Sequence, residues 1–399
     1  MGELYELPEG WEWKKLKDKE VCSLIMGQSP KSDTYNTDGN GMAFFQGKTE
    51  FGEIYPTVVK YCTAPKKIAE VGDILLSVRA PVGPTNIANI QCAIGRGLGA
   101  IRPNTDNTLT NYLLYFFRNF EVEISQKGKG STFSAITKTE LENTNIPLPP
   151  LQEQKRIVSK LNTLFDKIDK SIALHQKNMD EANVFMGSVL NESFQELQTN
   201  ENVSLKDITS KIGSGSTPRG GQKAYKTEGI SLIRSMNVHD DGFREKGLAF
   251  IDDEQAKKLD NVTIQENDVL LNITGASVAR CCIVDKNYLP ARVNQHVSIL
   301  RLKDEMLPKF LHYYLISPTI KTELLKSSSG GATREAITKT MLEEFQVPVV
   351  PLSQQQKTVA YLDKISQKIE KIKSVQKDKM ESLVALKASI LDQAFRGEL

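Results

Sequence analysis

Three short patterns in this chain have residue types and spacings that could do chemistry. Gly95, Gly97 and Gly99 spell G-x-G-x-G, close to the loops whose bare backbone lets a dinucleotide or a methyl donor approach. Gly41 to Gly47 with Lys48 and Thr49 approach a phosphate-binding loop, but five residues separate the glycines where the phosphate cradle requires four. Glu153 and Lys155, behind Pro149 and Pro150, resemble a nuclease E-x-K without its partnering aspartate. The four histidines (His175, His239, His296, His312) are scattered, and neither H-E-x-x-H nor the [N/D]-P-P-[Y/F] of amino-methyltransferases occurs. His296, in the run VNQHVSILRL, reads as a satisfied core residue. The five cysteines, irregularly spaced with no C-x-x-C, read as buried free thiols.

The elements that would hold these residues occur twice. AITKTELENTNIPLPPLQEQKRIVSKL from Ala135 is answered by AITKTMLEEFQVPVVPLSQQQKTVAYL from Ala336, an offset of 201 residues that runs without a gap to Leu190/Leu391 and Phe194/Phe395. Upstream, VGDILLS at 71–77 faces ENDVLLN at 266–272, NYLLYFF at 111–117 faces KFLHYYL at 309–315, and GQSP at 27–30 faces GSTP at 215–218. Each half therefore has a variable front and a constrained back: the backs share a structural task, while the fronts have diverged toward different targets. The second copy has NQHVS at 294–298 in place of the glycines, and Gln354 and Gln356 in place of Glu153 and Lys155. All three patterns read as turns or helix starts, and the chain reads as non-catalytic.

Past each proline cluster, apolar residues recur at steps of three and four, which predicts two amphipathic helices of about 45 residues, each reaching ~65 Å. Gly187 is a tolerated single glycine. Neither stripe can be buried by its own helix, so the two are expected to pack as an antiparallel coiled coil through Leu161, Leu164, Ile168, Ile172 and Leu190 against Leu362, Ile365, Ile369, Ile372 and Leu391. Separate helical bundles are the alternative. The fronts mix short β-rich runs, turn-rich segments such as KSDTYNTDGNG and IGSGSTPRGGQ, and aromatic helical pieces. The expected organisation is an α+β/mixed chain with two α/β domains: 1–147 as a first domain, 148–198 as a helical spacer, 199–348 as a second domain, and 349–399 as a second spacer.

Composition sets the limits. Of 399 residues, 39% are hydrophobic and 25% charged, and the net charge is only +2. Bulk charge thus does not argue for nucleic acid. The start MGELYELPEGWEWKK lacks the apolar core of a secretion signal, and no run nears the ~20 apolar residues of a membrane span, which leads to a cytoplasmic expectation.

LPEGW near the start, GDILLS, the paired IPLPPLQEQKRIVSKL and VPVVPLSQQQKTVAYL, and the closing ASILDQAFRGEL resemble the specificity subunit of type I restriction-modification enzymes along the whole chain. The resemblance implies two target-recognition domains that each read one half of a split, asymmetric double-stranded DNA site. It also implies helical spacers that hold two modification (methyltransferase) subunits, with restriction (endonuclease/translocase) subunits joining that core. S-adenosylmethionine and ATP with Mg would belong to the partners, and this chain would carry no cofactor. The spacers would act as a ruler that fixes the unread gap. Residues 1–150 sum to about −1 and residues 199–348 to about +1, so the holoenzyme is expected to supply much of the phosphate contact. Loop-borne groups able to pair with base edges are Lys31, Gln46, Lys48, Arg79 and Arg96 in the first domain, and Arg219, Lys223, Arg234, Asn237, Arg280 and Arg292 in the second. Each could equally be a surface charge or a phosphate clamp. A two-module protein-interaction scaffold on a coiled-coil spacer stays open as the second reading, and an enzyme with an unrecognised site as the third.

Overall fold

The computed structural model describes residues 5–121, 123, 135–197, 202–328 and 336–399. Two compact units divide the chain, Met1–His175 with Lys377–Leu399, and Gln176–Gln376. Both long helices form, Leu151–Gln195 and Leu352–Arg396, each of 45 residues. Each unit therefore contains one front, the start of the helix that follows it, and the end of the other helix.

Within each unit the two helix segments run antiparallel. In the first, Arg156 Nη2 donates to the Leu399 carbonyl at 2.8 Å, and Lys387 Nζ pairs with Asp169 at 2.8 Å while lying 4.8 Å from the centroid of the Phe165 ring. In the second, Asn178 and Gln376 meet at 3.4 Å, and residues between Asn183 and Leu190 share a groove with residues between Asp363 and Lys373. Leu161, Ile168, Leu190, Leu362 and Ile369 are buried, and Leu164, Ile172, Ile365 and Leu391 are partly buried against cores shared with the fronts. Ile372 is a correction: it is 46% exposed. Its neighbours Lys373 and Gln376 are part-buried instead, so polar groups occupy the inner face of this turn.

Each front is built on a four-stranded antiparallel sheet. In the first unit the order is Cys22–Met26, Leu98–Pro103, Ile74–Ser77 and Thr85–Ile87, and in the second it is Thr209–Ser214, Val297–Leu302, Val269–Asn272 and Cys281–Ile283. A second sheet in each front contains one parallel pair, Met42–Phe45 beside Cys92–Ile94 and Ile230–Ile233 beside Ala291–Val293. A helix follows the main sheet, Thr110–Asn119 or Pro308–Ile316, burying Tyr112, Tyr115, Phe116 and Phe117 in the first unit and Phe310 and Tyr313 in the second.

The repeated phrases have repeated physical jobs. In AITKT, Ala135 bridges Arg79 and Ala336 bridges Thr274, Ile136 and Ile337 are buried, and Thr137 and Thr338 cap short helices. The glutamine of each helix start is fully buried. Gln154 accepts from the Leu109 amide at 2.9 Å and donates to the Asn107 and Pro149 carbonyls, and Gln355 does the same with Leu307, Glu305 and Val350. These amides fasten each long helix to its own front, since a buried polar group must find partners. Gly187 also has a reason: a Cβ there would lie 2.9 Å from Pro318 Cγ.

Candidate nucleic-acid interface

Four backbone turns meet at one end of each front, held in both units by three matching hydrogen bonds and by a fourth, from Gly27 or Gly215, whose acceptor differs. In the first, Gly95 N donates to Phe45 O, Gly27 N to Leu98 O, Val78 N to Gly97 O, and Ile136 N to Val78 O. In the second, Asn294 N donates to Ile233 O, Gly215 N to Asn294 O, Ile273 N to His296 O, and Ile337 N to Ile273 O. Strand register makes the residues correspond. Gln46 and Arg234 each come first after the strand of the parallel pair, Arg96 and Gln295 are the middle residues of the next turn, and Arg79 and Thr274 form the bridges to alanine. Ser29 and Thr217 complete the likeness: Ser29 Oγ accepts from the Arg96 amide at 3.2 Å, and the Thr217 hydroxyl donates to Gln295 Oε1.

The frame is thus common and its side chains are not. In the second unit Thr274 bonds His296 Nδ1, and Gln295 Nε2 lies 3.0 Å from His296 Nε2. Ser235, Met236, Gly275, Ser277, Arg280 and His296 line an open depression there. His296 stands at this rim, half-exposed, which corrects its reading as a core residue.

The expected DNA-binding residues divide sharply. Lys31, Lys48, Arg79, Arg96, Arg219 and Lys223 are exposed, and Gln46 and Arg280 half-exposed. None of their side chains has a hydrogen bond or ion pair among the described residues, so their donors are free for a ligand. Asn237 and Arg292 are corrections. Asn237 is fully buried, accepting from the Arg234 amide and donating to the Arg244 carbonyl. Arg292 is 7% exposed, pairs with Asp260 at 2.7 Å and donates to two backbone carbonyls. Both spend their hydrogen bonds on their own fold. Arg234 lies between these classes: Nη2 donates to the Gly247 carbonyl, the guanidinium lies 5.1 Å from the centroid of the Tyr225 ring, and Nε is buried without an acceptor among the described residues.

Ser29, Thr217, Gln295 and His296 were missed as site residues. The available signals were the match of GQSP with GSTP and that of NQHVS with the glycine stretch, which sets Gln295 in the place of Arg96.

The catalytic-looking patterns have structural explanations. A Cβ at Gly97 would stand 2.2 Å from the Gln46 carbonyl oxygen, and one at Gly95 3.1 Å from Gln46 Cγ, so these glycines let the turn bearing Arg96 lie against Gln46. Lys48–Glu50 is a single 3₁₀ turn, with no helix behind it to cradle a phosphate. Glu153 pairs with Arg156 at 2.7 Å, whose hydrogen bond and charge hold its carboxyl below the usual range. All five cysteines are buried free thiols, and burial pushes Cys22, Cys92 and Cys282 up to about 12, far from a thiolate nucleophile. Among the described residues no group of His, Cys, Asp and Glu could hold a metal ion, and no helix is long and apolar enough to cross a membrane.

A sequence model described as the type I restriction modification DNA specificity domain matches residues 8–180 and again 198–381. A protein of Methanocaldococcus jannaschii provisionally named the type I restriction enzyme MjaX specificity subunit is 46% identical over 168 residues, which cover 42% of this chain and 40% of that one. The EcoBI specificity subunit of Escherichia coli is 22% identical over 97% of this chain and 86% of its own. Among solved structures, a chain from work on complex assembly and conformational transition of the type I R-M system superposes with a TM-score of 0.72 at 23% identity, covering 99% of this chain and 100% of that chain. The HsdS subunit of Thermoanaerobacter tengcongensis superposes at 0.52, also 23% identical, covering 99% of both chains.

Proposed function

Because the chain belongs to the type I restriction-modification DNA specificity family, we propose that each unit reads one half of a split, asymmetric site in double-stranded DNA through its four-turn mouth. The observation that carries this reading is the pairing of one hydrogen-bonded frame with two sets of side chains, Gln46, Arg79 and Arg96 against Arg234, Thr274 and Gln295. One frame gives one docking mode, and changed side chains on it give a different sequence. The chain itself performs no catalysis in this reading. Two modification subunits dock on the long helices and carry the methyl donor, and restriction subunits with ATP and Mg join them, all in the cytoplasm where the DNA lies. Exposed Val184 and Phe185 in the second unit and Leu174 and Val384 in the first offer apolar contacts for that docking. The near-neutral fronts are consistent with a holoenzyme that shares the phosphate contacts.

Co-purification tests the reading. A modification subunit should accompany the chain, and methylation-aware sequencing should show one split target. A chain that purifies alone, with turnover of its own, would overturn it. In the same assay, four residues inserted into each long helix add ~6 Å of rise, close to two base-pair steps of ~3.4 Å. The expected result is a longer unread gap between unchanged half-sites; altered half-sites would refute the ruler.

The repeat supports a further expectation. Residues 176–198 correspond to 377–399 at the gapless offset, with Phe194 in the place of Phe395, so in a fragment of residues 1–198 a second copy can supply the missing helix end. Such a fragment should be a dimer by light scattering and, with modification subunits, methylate a symmetric site. A strictly monomeric fragment would show that the helix ends are not interchangeable.

A further inference from the structure

Resting on the functional reading above, we infer that two positions in each mouth set the base order of its half-site, and that the two units carry the same two side-chain types in exchanged places. After the strand of the parallel pair stands Gln46 in the first unit and Arg234 in the second. At the middle of the following turn stands Arg96 in the first and Gln295 in the second. The backbone bonds Gly95 N to Phe45 O and Asn294 N to Ile233 O fix the same spacing between the two positions in both units.

The side-chain chemistry gives the exchange a meaning. A guanidinium fork matches O6 and N7 of guanine, whereas a glutamine amide matches N6 and N7 of adenine. The first mouth offers amide then guanidinium, and the second offers guanidinium then amide. The half-sites should therefore differ by the exchange of one guanine and one adenine between two positions. The state of the first pair fits a ligand. Arg96 and Gln46 have no side-chain partner among the described residues, and the flanking glycines press their two backbones together. In the second unit both groups are held by their own fold. Arg234 lies over Tyr225 with Nη2 donating to the Gly247 carbonyl and Nε buried and unpaired. Gln295 accepts the Thr217 hydroxyl at Oε1 while its Nε2 lies 3.0 Å from His296 Nε2, so a base must compete with these contacts.

The test is methylation-aware sequencing of DNA treated with the chain in complex with its co-purified modification subunits. Wild type defines both half-sites. The double change Gln46→Arg with Arg96→Gln should exchange guanine and adenine at two positions of one half-site and leave the other half-site intact. Arg96→Lys keeps the charge but not the fork, so it should lower the guanine preference at one position by about 5- to 150-fold. Should the double variant melt early, Gln295→Arg asks the same question in the second unit, where one adenine should become guanine. Unchanged preferences in well-folded variants would overturn the inference while leaving the functional reading in place. A wild-type complex that methylates no split sequence would overturn both.

Discussion

Asp268→Ala should cost the second unit about 3–5 kcal/mol, because it breaks a buried ion pair by removing one member. The carboxylate is 1% exposed and accepts Arg301 Nε and Nη2, both at 2.8 Å, and the Gln265 amide at 2.7 Å. Alanine leaves the guanidinium, whose side chain is 22% exposed, without its counter-charge, and the amide without an acceptor. Against a typical total of 5–15 kcal/mol that loss is large. Hydrogen exchange should show lost protection in strands Val269–Asn272 and Val297–Leu302, while Ile74–Ser77 and Leu98–Pro103 keep theirs. The matching change Asp73→Ala should cost less, since the Arg102 side chain is 39% exposed and water can replace part of the lost contact. A shift below about 1 kcal/mol for Asp268→Ala would mean that the pair merely breaks even against its desolvation.

That ion pair also marks how far the sequence could be read. VGDILLS and ENDVLLN were visible as matched phrases, and the apolar positions are buried strands as their pattern demands. The reason for the aspartate was not visible, because its partner arginine lies 29 residues away in one copy and 33 in the other, on a strand brought alongside only by folding. The long helices were legible almost to the residue, since a stripe of period 3.6 between a proline cluster and the chain's next turn has few other solutions. Ile372 was misread because it keeps the stripe's spacing where the local contacts are polar. The mouth was half-legible. Free cations on loops were guessable from residue type, but Asn237 and Arg292 have the same types and point their donors into the fold. The match of NQHVS with the glycine stretch already set Gln295 at the place of Arg96, but only the backbone bonds could show that this place adjoins Gln46 in one unit and Arg234 in the other.

Phe395→Ala should destabilise the first unit by about 3–5 kcal/mol, since a large side chain is removed from a packed core that can close only partly. Phe395 is 1% exposed, its ring centroid lies 5.2 Å from that of Tyr112 and 5.8 Å from that of Phe116, and its carbonyl accepts the Tyr5 hydroxyl at 2.6 Å. The rings it meets come from helix Thr110–Asn119 of the front, so the last turns of the second long helix complete the core of a domain encoded at the other end of the chain. Urea unfolding should show a lower midpoint with an unchanged slope, and Phe395→Leu, which leaves a smaller cavity than alanine, should recover part of the loss. The functional consequence is directional. Weakening this core should impair reading of the first half-site while the second, whose core is closed by Phe194 against Phe310 and Tyr314, keeps its sequence preference. A Phe395→Ala protein within about 1 kcal/mol of wild type would show that the helix end lies on the first unit without holding it together.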